Sequence, residues 1–200
     1  MTQAVTTTTR RAIPADATAI AHIYNQGIAE RVATFETMPR TPDQIVTQLA
    51  ERGERYPTIV VERDGPVIAW AAASSYSARP CYAGIAEFSV YVDRDARGVG
   101  AGRAALERLI AEYTERGFWK LVSRVFPENT ASRALCRKVG FREVGVYERH
   151  AMRDGVWRDC VIVERLLGNA AIAKIDEPNV TISRGGTVHS SSSPSASAPS

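Results

Sequence analysis

Long hydrophobic runs are missing from this sequence. No stretch approaches the ~20 consecutive apolar residues that a membrane-crossing helix needs, so an integral helical membrane protein is excluded. The opening MTQAVTTTTRRAI has no apolar block of the kind that directs secretion, and a cytoplasmic location is expected. Cysteine is scarce. Cys81, Cys136 and Cys160 are an odd number without close pairing, which argues against a disulfide framework and against a zinc site. They read as reduced thiols. His22, His150 and His189 have no partners at metal-binding spacing, so no resident metal is expected. Charge of one sign is not in large excess: the net charge is +3, with arginines spread along the chain, and nothing calls for a nucleic-acid partner.

What is present is a chain of 200 residues, enough for one domain with extensions. Residues 1–9 read as a loose leader. The stretch SSSSPSASAPS near the end can bury little, so residues 168–200 read as a solvated Ser/Pro-rich tail, with VTISR at Val180 to Arg184 as a possible short strand. The domain proper is residues 10–167. A strand is expected over Arg10 to Ile13. Ile20, Ile23, Tyr24 and Gly27 keep helical spacing and predict a helix from about Ala15 to Ala29. Thr41-Pro42-Asp43-Gln44 is a helix start: the threonine can cap, the proline suits the first turn, and the glutamine can reach back. TIVVER and PVIAWAAASSY flank Asp64-Gly65 and predict a β-hairpin. IAEFSVYV predicts a strand from Ile85 to Val92. Leu106, Leu109, Ile110 and Tyr113 form one helical stripe after a glycine-rich loop. WKLVSRVF predicts a strand, Asn129 caps a short helix that stops near Gly140, and two long strands turn at Asp154-Gly155. The predicted order is β-α-α-β-β-β-α-β-α-β-β, an α/β (α+β) domain with a mixed sheet.

The glycine-rich loop RDARGVGAG runs from Arg94 to Gly102, between a strand and an amphipathic helix. Gly98, Gly100 and Gly102 would let backbone approach a ligand closely. The unpaired amides that open the helix would attract a pyrophosphate, and Arg97 and Arg103 could add charge-assisted bonds. The other reading is a plain turn. Neither the dinucleotide fingerprint nor the Gly-Lys-Ser/Thr ending of a P-loop is present.

These residues, with ENTASRALCRKVGF further on, resemble the GNAT superfamily of acyl-CoA-dependent N-acetyltransferases. IYNQGI, ATFETMPRTP, RYPTIVVERDG, ARPCYAGIAEFSVYV and DGVWRD are similar to phosphinothricin N-acetyltransferases, above all the arsinothricin-acetylating branch. The resemblance implies a mostly antiparallel mixed sheet flanked by about four helices, acetyl-CoA as co-substrate, and a homodimer. It places the CoA pyrophosphate on Arg97, Gly98, Val99, Gly100, Ala101, Gly102 and Arg103, with further CoA contacts at Asn129 and at the backbone of Val90 and Val92. It also assigns Glu87 as general base. On its own Glu87 is a carboxylate inside a β-prone apolar run, either an edge-strand charge or a base whose pKa is raised by apolar neighbours. Alternation sets it on one face with Ile85, Ser89 and Tyr91.

The family often has a tyrosine or histidine near the leaving thiolate; here that position is Cys136, a weak donor or a small core residue. Arg79 and Tyr82 match substrate-binding residues, Arg79 otherwise being a solvated loop arginine. Phe35 would line the pocket, with Glu36 as an alternative proton acceptor. Trp70, Trp119 and Trp157 read as packing or interface residues. The expected activity is acetylation of the α-amine of arsinothricin or phosphinothricin, conferring resistance. Acetylation of methionine sulfoximine or sulfone, a protein-modifying transferase, and a non-catalytic CoA-binding module are the alternatives.

Overall fold

The computed structural model describes residues 6–172. Elements follow the predicted order: β1 (Thr7–Arg11), α1 (Ala17–Glu30), α2 (Pro42–Arg52), β2 (Ile59–Arg63), β3 (Val67–Ser75), β4 (Ile85–Val92), α3 (Ala101–Glu115), β5 (Lys120–Val125), α4 (Thr130–Lys138), β6 (Arg142–Arg153) and β7 (Val156–Leu166), with a final turn of helix, α5 (Asn169–Ile172). One sheet of seven strands runs β1-β2-β3-β4-β5-β7-β6. All neighbours are antiparallel except β4 and β5, which are parallel and joined by α3.

Alternation along the strands divides the apolar residues between two faces. Ile59, Val61, Ala71 and Phe88 meet Leu106, Leu109 and Tyr113 of α3 and Cys136 of α4. Val60, Trp70 and Ala72 meet Ile20 and Ile23 of α1 and Ile45 of α2. The sheet is thus a middle layer with α1 and α2 on one side and α3 and α4 on the other.

Local signals decide several boundaries. Thr41 Oγ1 accepts from the Gln44 amide at 3.3 Å and Gln44 Oε1 accepts from the Thr41 amide at 3.0 Å, the predicted capping box. Asp64, Gly65, Asp154 and Gly155 all have positive φ, as tight hairpin turns require. Two expectations are corrected. The first strand begins at Thr7 rather than Arg10 and ends at Arg11, because β-prone threonines continue the rungs onto β2 as far as Thr7↔Arg63. Thr7, Thr8 and Thr9, expected in the leader, therefore belong to this strand. The first helix is preceded by a 3-10 turn over Pro14–Asp16, fixed by Asp16, which accepts from the Ile13 amide and from Arg10. The strand expected at Val180 to Arg184 lies outside the described residues.

Candidate active site

Parallel pairing between β4 and β5 stops at Glu87↔Val122, and the strands separate beyond it. Ser123 Oγ donates to the Phe88 carbonyl at 2.8 Å just past that point. This bond shows that even-numbered residues of β4 turn their backbone groups toward β5. Ile85 accepts from the Tyr76 amide on the other side, as odd-numbered residues should. The amides of Val90 and Val92 therefore face the opening, while their side chains pack on the core beside α3.

A cavity of ≈ 870 Å³ fills the opening, within the ~300–1,000 Å³ range of small-molecule sites. Its far end is the glycine-rich loop, and Arg97, Gly98, Gly100, Ala101, Gly102 and Arg103 line it. Gly98 and Gly100 have φ of 82° and 90°, with no atom within 4 Å of where a Cβ would stand. Gly100 is also the N-cap of α3, and no side chain caps it. The first intrahelical bond there is from the Ala104 amide to the Gly100 carbonyl, so the preceding amides point outward. Gly102 serves packing instead: a Cβ there would meet Val92 Cγ2 at 3.1 Å and Leu135 Cδ2 at 3.2 Å. Arg97 is held by Glu30 at 2.7 Å and Arg103 by Glu107 at 2.8 Å. An open backbone concavity at a helix N-terminus flanked by two guanidinium groups fits a diphosphate. Val99 is half exposed on the same loop.

Asn129 does two jobs. Its Oδ1 accepts from the Ser132 amide at 3.0 Å, capping α4, and its Nδ2 donates to the Val32 carbonyl at 3.2 Å, tying α4 to the loop after α1. It also lines the large cavity.

A second cavity, of ≈ 620 Å³, adjoins the first and shares Ser123, Arg124 and Phe126 with it. Glu87, Ser89 and Tyr91 line it together, as the alternation predicted. Phe35 stands edge-on to Phe126, with ring centroids 4.7 Å apart, and Glu36 pairs with Arg40 at 2.8 Å. The loop carrying them is anchored from below by buried Arg153, whose Nη1 donates to the Thr34 carbonyl at 2.8 Å and whose Nη2 donates to the Ile28 carbonyl at 3.3 Å. Tyr91 stacks on Trp70 with ring centroids 4.8 Å apart, and burial pushes its hydroxyl pKa well up, so it stays a neutral phenol.

The expected apolar setting of Glu87 is corrected. Its carboxylate accepts from Arg124 Nε at 2.7 Å and from Arg124 Nη2 in a bidentate pair. Arg124 Nη1 also lies 3.3 Å from His150 Nε2. The Arg124 guanidinium has a raised pKa, chiefly through its hydrogen bonds to Glu87. Sequence reading missed Arg124, because its only local mark is alternation in SRV.

Three further candidate residues, Cys136, Arg79 and Tyr82, line neither cavity. Cys136 is buried in the core with Leu106 and Phe141. Burial pushes its thiol pKa up to about 11, so it is a neutral core residue. Arg79 is exposed with its guanidinium carbon 5.7 Å from the Tyr82 ring centre, and Tyr82 stands edge-on to Tyr76. The tryptophans divide: Trp70 is buried between layers, whereas Trp119 and Trp157 are exposed. Among the described residues no cluster of His, Cys, Asp or Glu is grouped to hold a metal ion, and no helix is long and apolar enough to cross a membrane.

Comparison with known proteins places this geometry. The Acetyltransferase (GNAT) family matches residues 24–141. The phosphinothricin N-acetyltransferase of Alcaligenes faecalis is 36% identical over 155 residues, 76% of this chain and 78% of that protein. The L-methionine sulfoximine/L-methionine sulfone acetyltransferase of Salmonella typhimurium is 28% identical over 82% of this chain and 96% of that protein. The crystal structure of a phosphinothricin acetyltransferase from Sinorhizobium meliloti in complex with AcCoA superposes with a TM-score of 0.78 at 31% identity, covering 86% of this chain and 95% of that one. The chain belongs to the GNAT family, among relatives of the phosphinothricin N-acetyltransferase type, and is an N-acetyltransferase with acetyl-CoA as its co-substrate.

Proposed function

We propose that the protein acetylates the α-amino group of an amino acid that carries a side-chain oxyanion, of the phosphinothricin or arsinothricin kind, and thereby inactivates it. Acetylation removes the cationic amine that an amino-acid mimic needs, which is how such an activity would confer resistance. The observation that carries this reading is the junction of the two cavities, where a carboxylate–guanidinium pair, Glu87 and Arg124, stands beside the separated strands. The relatives named for phosphinothricin support the substrate class, whereas methionine sulfoximine, named for another relative, has no side-chain oxyanion and is the alternative substrate.

In this reading acetyl-CoA supplies the activated acetyl group, and the chain's own residues do the rest. The free amides opening α3, with Arg97 and Arg103, hold the pyrophosphate. The amides of Val90 and Val92 hold the acyl end and polarise its carbonyl. Glu87 takes a proton from the substrate ammonium, directly or through one water. The nitrogen–carbon bond forms as the carbon–sulfur bond breaks, the electron pair leaves with sulfur, and the second proton that nitrogen sheds ends on the thiolate. No α4 side chain is assigned to protonate the thiolate, since Cys136 points into the core. Phe35 forms a wall of the amine pocket, and Glu36 serves the Arg40 pair rather than proton transfer.

The test is mass spectrometry of products from phosphinothricin, arsinothricin, methionine sulfoximine and a simple amine with acetyl-CoA. N-acetylation of phosphinothricin or arsinothricin, with weaker turnover of the other two, is expected; acetylation of methionine sulfoximine alone or of the simple amine alone overturns the reading.

We also propose a homodimer built on the β6–β7 ribbon. Val146, Tyr147, Met152, Val156 and Trp157 are each at least half exposed there, and β6 is an outer strand of the sheet. Light scattering should give twice the chain mass; a monomer mass at micromolar concentration would count against it.

A further inference from the structure

Among the described residues, Arg124 is the one cation lining the second cavity, and it lines the first as well. Arg97 and Arg103 lie at the other end, on the glycine-rich loop, and Arg79 is outside both cavities. The Nε/Nη2 edge of Arg124 is occupied by the Glu87 carboxylate, while Nη1 is turned toward His150. Both partners keep some exposure, 45% for the Arg124 side chain and 26% for Glu87, so an incoming group can reach the pair.

We propose that Arg124 is the receptor for an anionic group of the substrate and that Glu87 occupies its fork until substrate arrives. This inference rests on the acetyltransferase reading above and names the residue that selects the substrate class. An amino acid brings its own ammonium and its own oxyanion. Its oxyanion replaces the Glu87 carboxylate on the planar fork, which matches carboxylate and phosphinate alike. Its ammonium replaces the guanidinium on Glu87. One ion pair becomes two, and the Glu87 carboxylate is left facing the proton it must take. A plain amine lacks the second half of this exchange. It must compete with a bidentate guanidinium for Glu87 and offers the Arg124 fork no anion in exchange. The pair therefore discriminates by charge pattern as well as by shape.

The experiment is calorimetric binding to the CoA-loaded protein, wild type and Arg124→Gln. Three ligands are compared: phosphinothricin, its decarboxylated aminoalkyl phosphinate, and methionine sulfone, which keeps the carboxylate without a side-chain oxyanion. Wild-type protein should bind phosphinothricin, and Arg124→Gln should weaken that binding roughly 10- to 100-fold, the loss of one charge-assisted bidentate contact. The analogue lacking the group that Arg124 holds should be weakened less than about 3-fold by the same substitution. That difference identifies whether the carboxylate or the phosphinate is the partner. Arg124→Lys, which keeps the charge but loses the fork, should fall between. Thermal melting of each variant with CoA separates misfolding from a lost contact. Equal losses for all three ligands, or no loss for any, overturns the proposal. Because binding is read without turnover, a missing acetylated product would sink the acetylation reading and leave this measurement intact.

Discussion

Glu87→Gln is expected to lower kcat by ~100-fold or more, the usual contribution of a positioned general base, while the affinity for acetyl-CoA stays within about 2-fold because the backbone proposed to hold it is untouched. Glutamine is nearly isosteric, and its carbonyl can still accept one of the two Arg124 bonds, while its NH2 cannot accept the other, so one donor of the fork turns to water. What it cannot do is take a proton. The bidentate contact from Arg124 leaves each carboxylate oxygen a lone pair, and Glu87 faces the second cavity where an amine would sit. Stopped-flow thiol release and CoA calorimetry on the same preparation check both halves. A kcat within 3-fold of wild type would remove Glu87 as the base. Glu36 then becomes the next carboxylate to test, since it lines the same cavity.

Glu112→Ala is expected to lower the free energy of unfolding by about 3 kcal/mol, the low end for breaking a buried ion pair. Glu112 is 1% exposed on α3, and its two oxygens are shared by Arg11, Arg108 and Arg116. The cost stays at the low end because Arg11 and Arg108 are about half exposed and can turn to water, while Arg116 also donates to the Glu54 carbonyl at 2.9 Å. Glu112→Gln keeps the volume and one acceptor, and should cost about 1–2 kcal/mol.

The pH dependence has a definite sign. Burial by itself would raise the Glu112 pKa, but hydrogen bonds from Arg11 and Arg116 outweigh it and hold the carboxyl below its usual value. A carboxyl depressed in the folded state contributes stability above its unfolded pKa of ~4.3, and that contribution is lost as pH falls through the lower folded value. Wild-type stability should therefore fall from about pH 4.3 downward, and the Glu112→Gln curve should be flatter there. Urea unfolding at several pH values measures both effects. An alanine variant within 1 kcal/mol of wild type at pH 7 would mean the three arginines are indifferent to their shared anion. Since α3 carries both this cluster and the loop that opens it, its packing and the proposed diphosphate site belong to one element.

Sequence alone determined the order of elements, the limits of β4, the capping of α2 and the two Asp-Gly turns. Each depends on neighbours a few residues away, through alternation, helical spacing or a cap, and those are printed in the chain. It also determined that Glu87 and Tyr91 share a face and that Val90 and Val92 turn away, because strand parity is local. The tertiary structure alone decided who meets whom. Glu87 and Arg124 are 37 positions apart and touch because α3 carries the chain over to a parallel neighbour in a register that no local pattern encodes. The same register, ending at Glu87↔Val122, opens the cavity. Cys136 sits within a motif that pointed to the thiolate, yet its place on the helix turns it inward, while Ala134 and Leu135 line the opening. Periodicity names a face; it carries no information on the distance between two faces, and active-site chemistry is set by that distance.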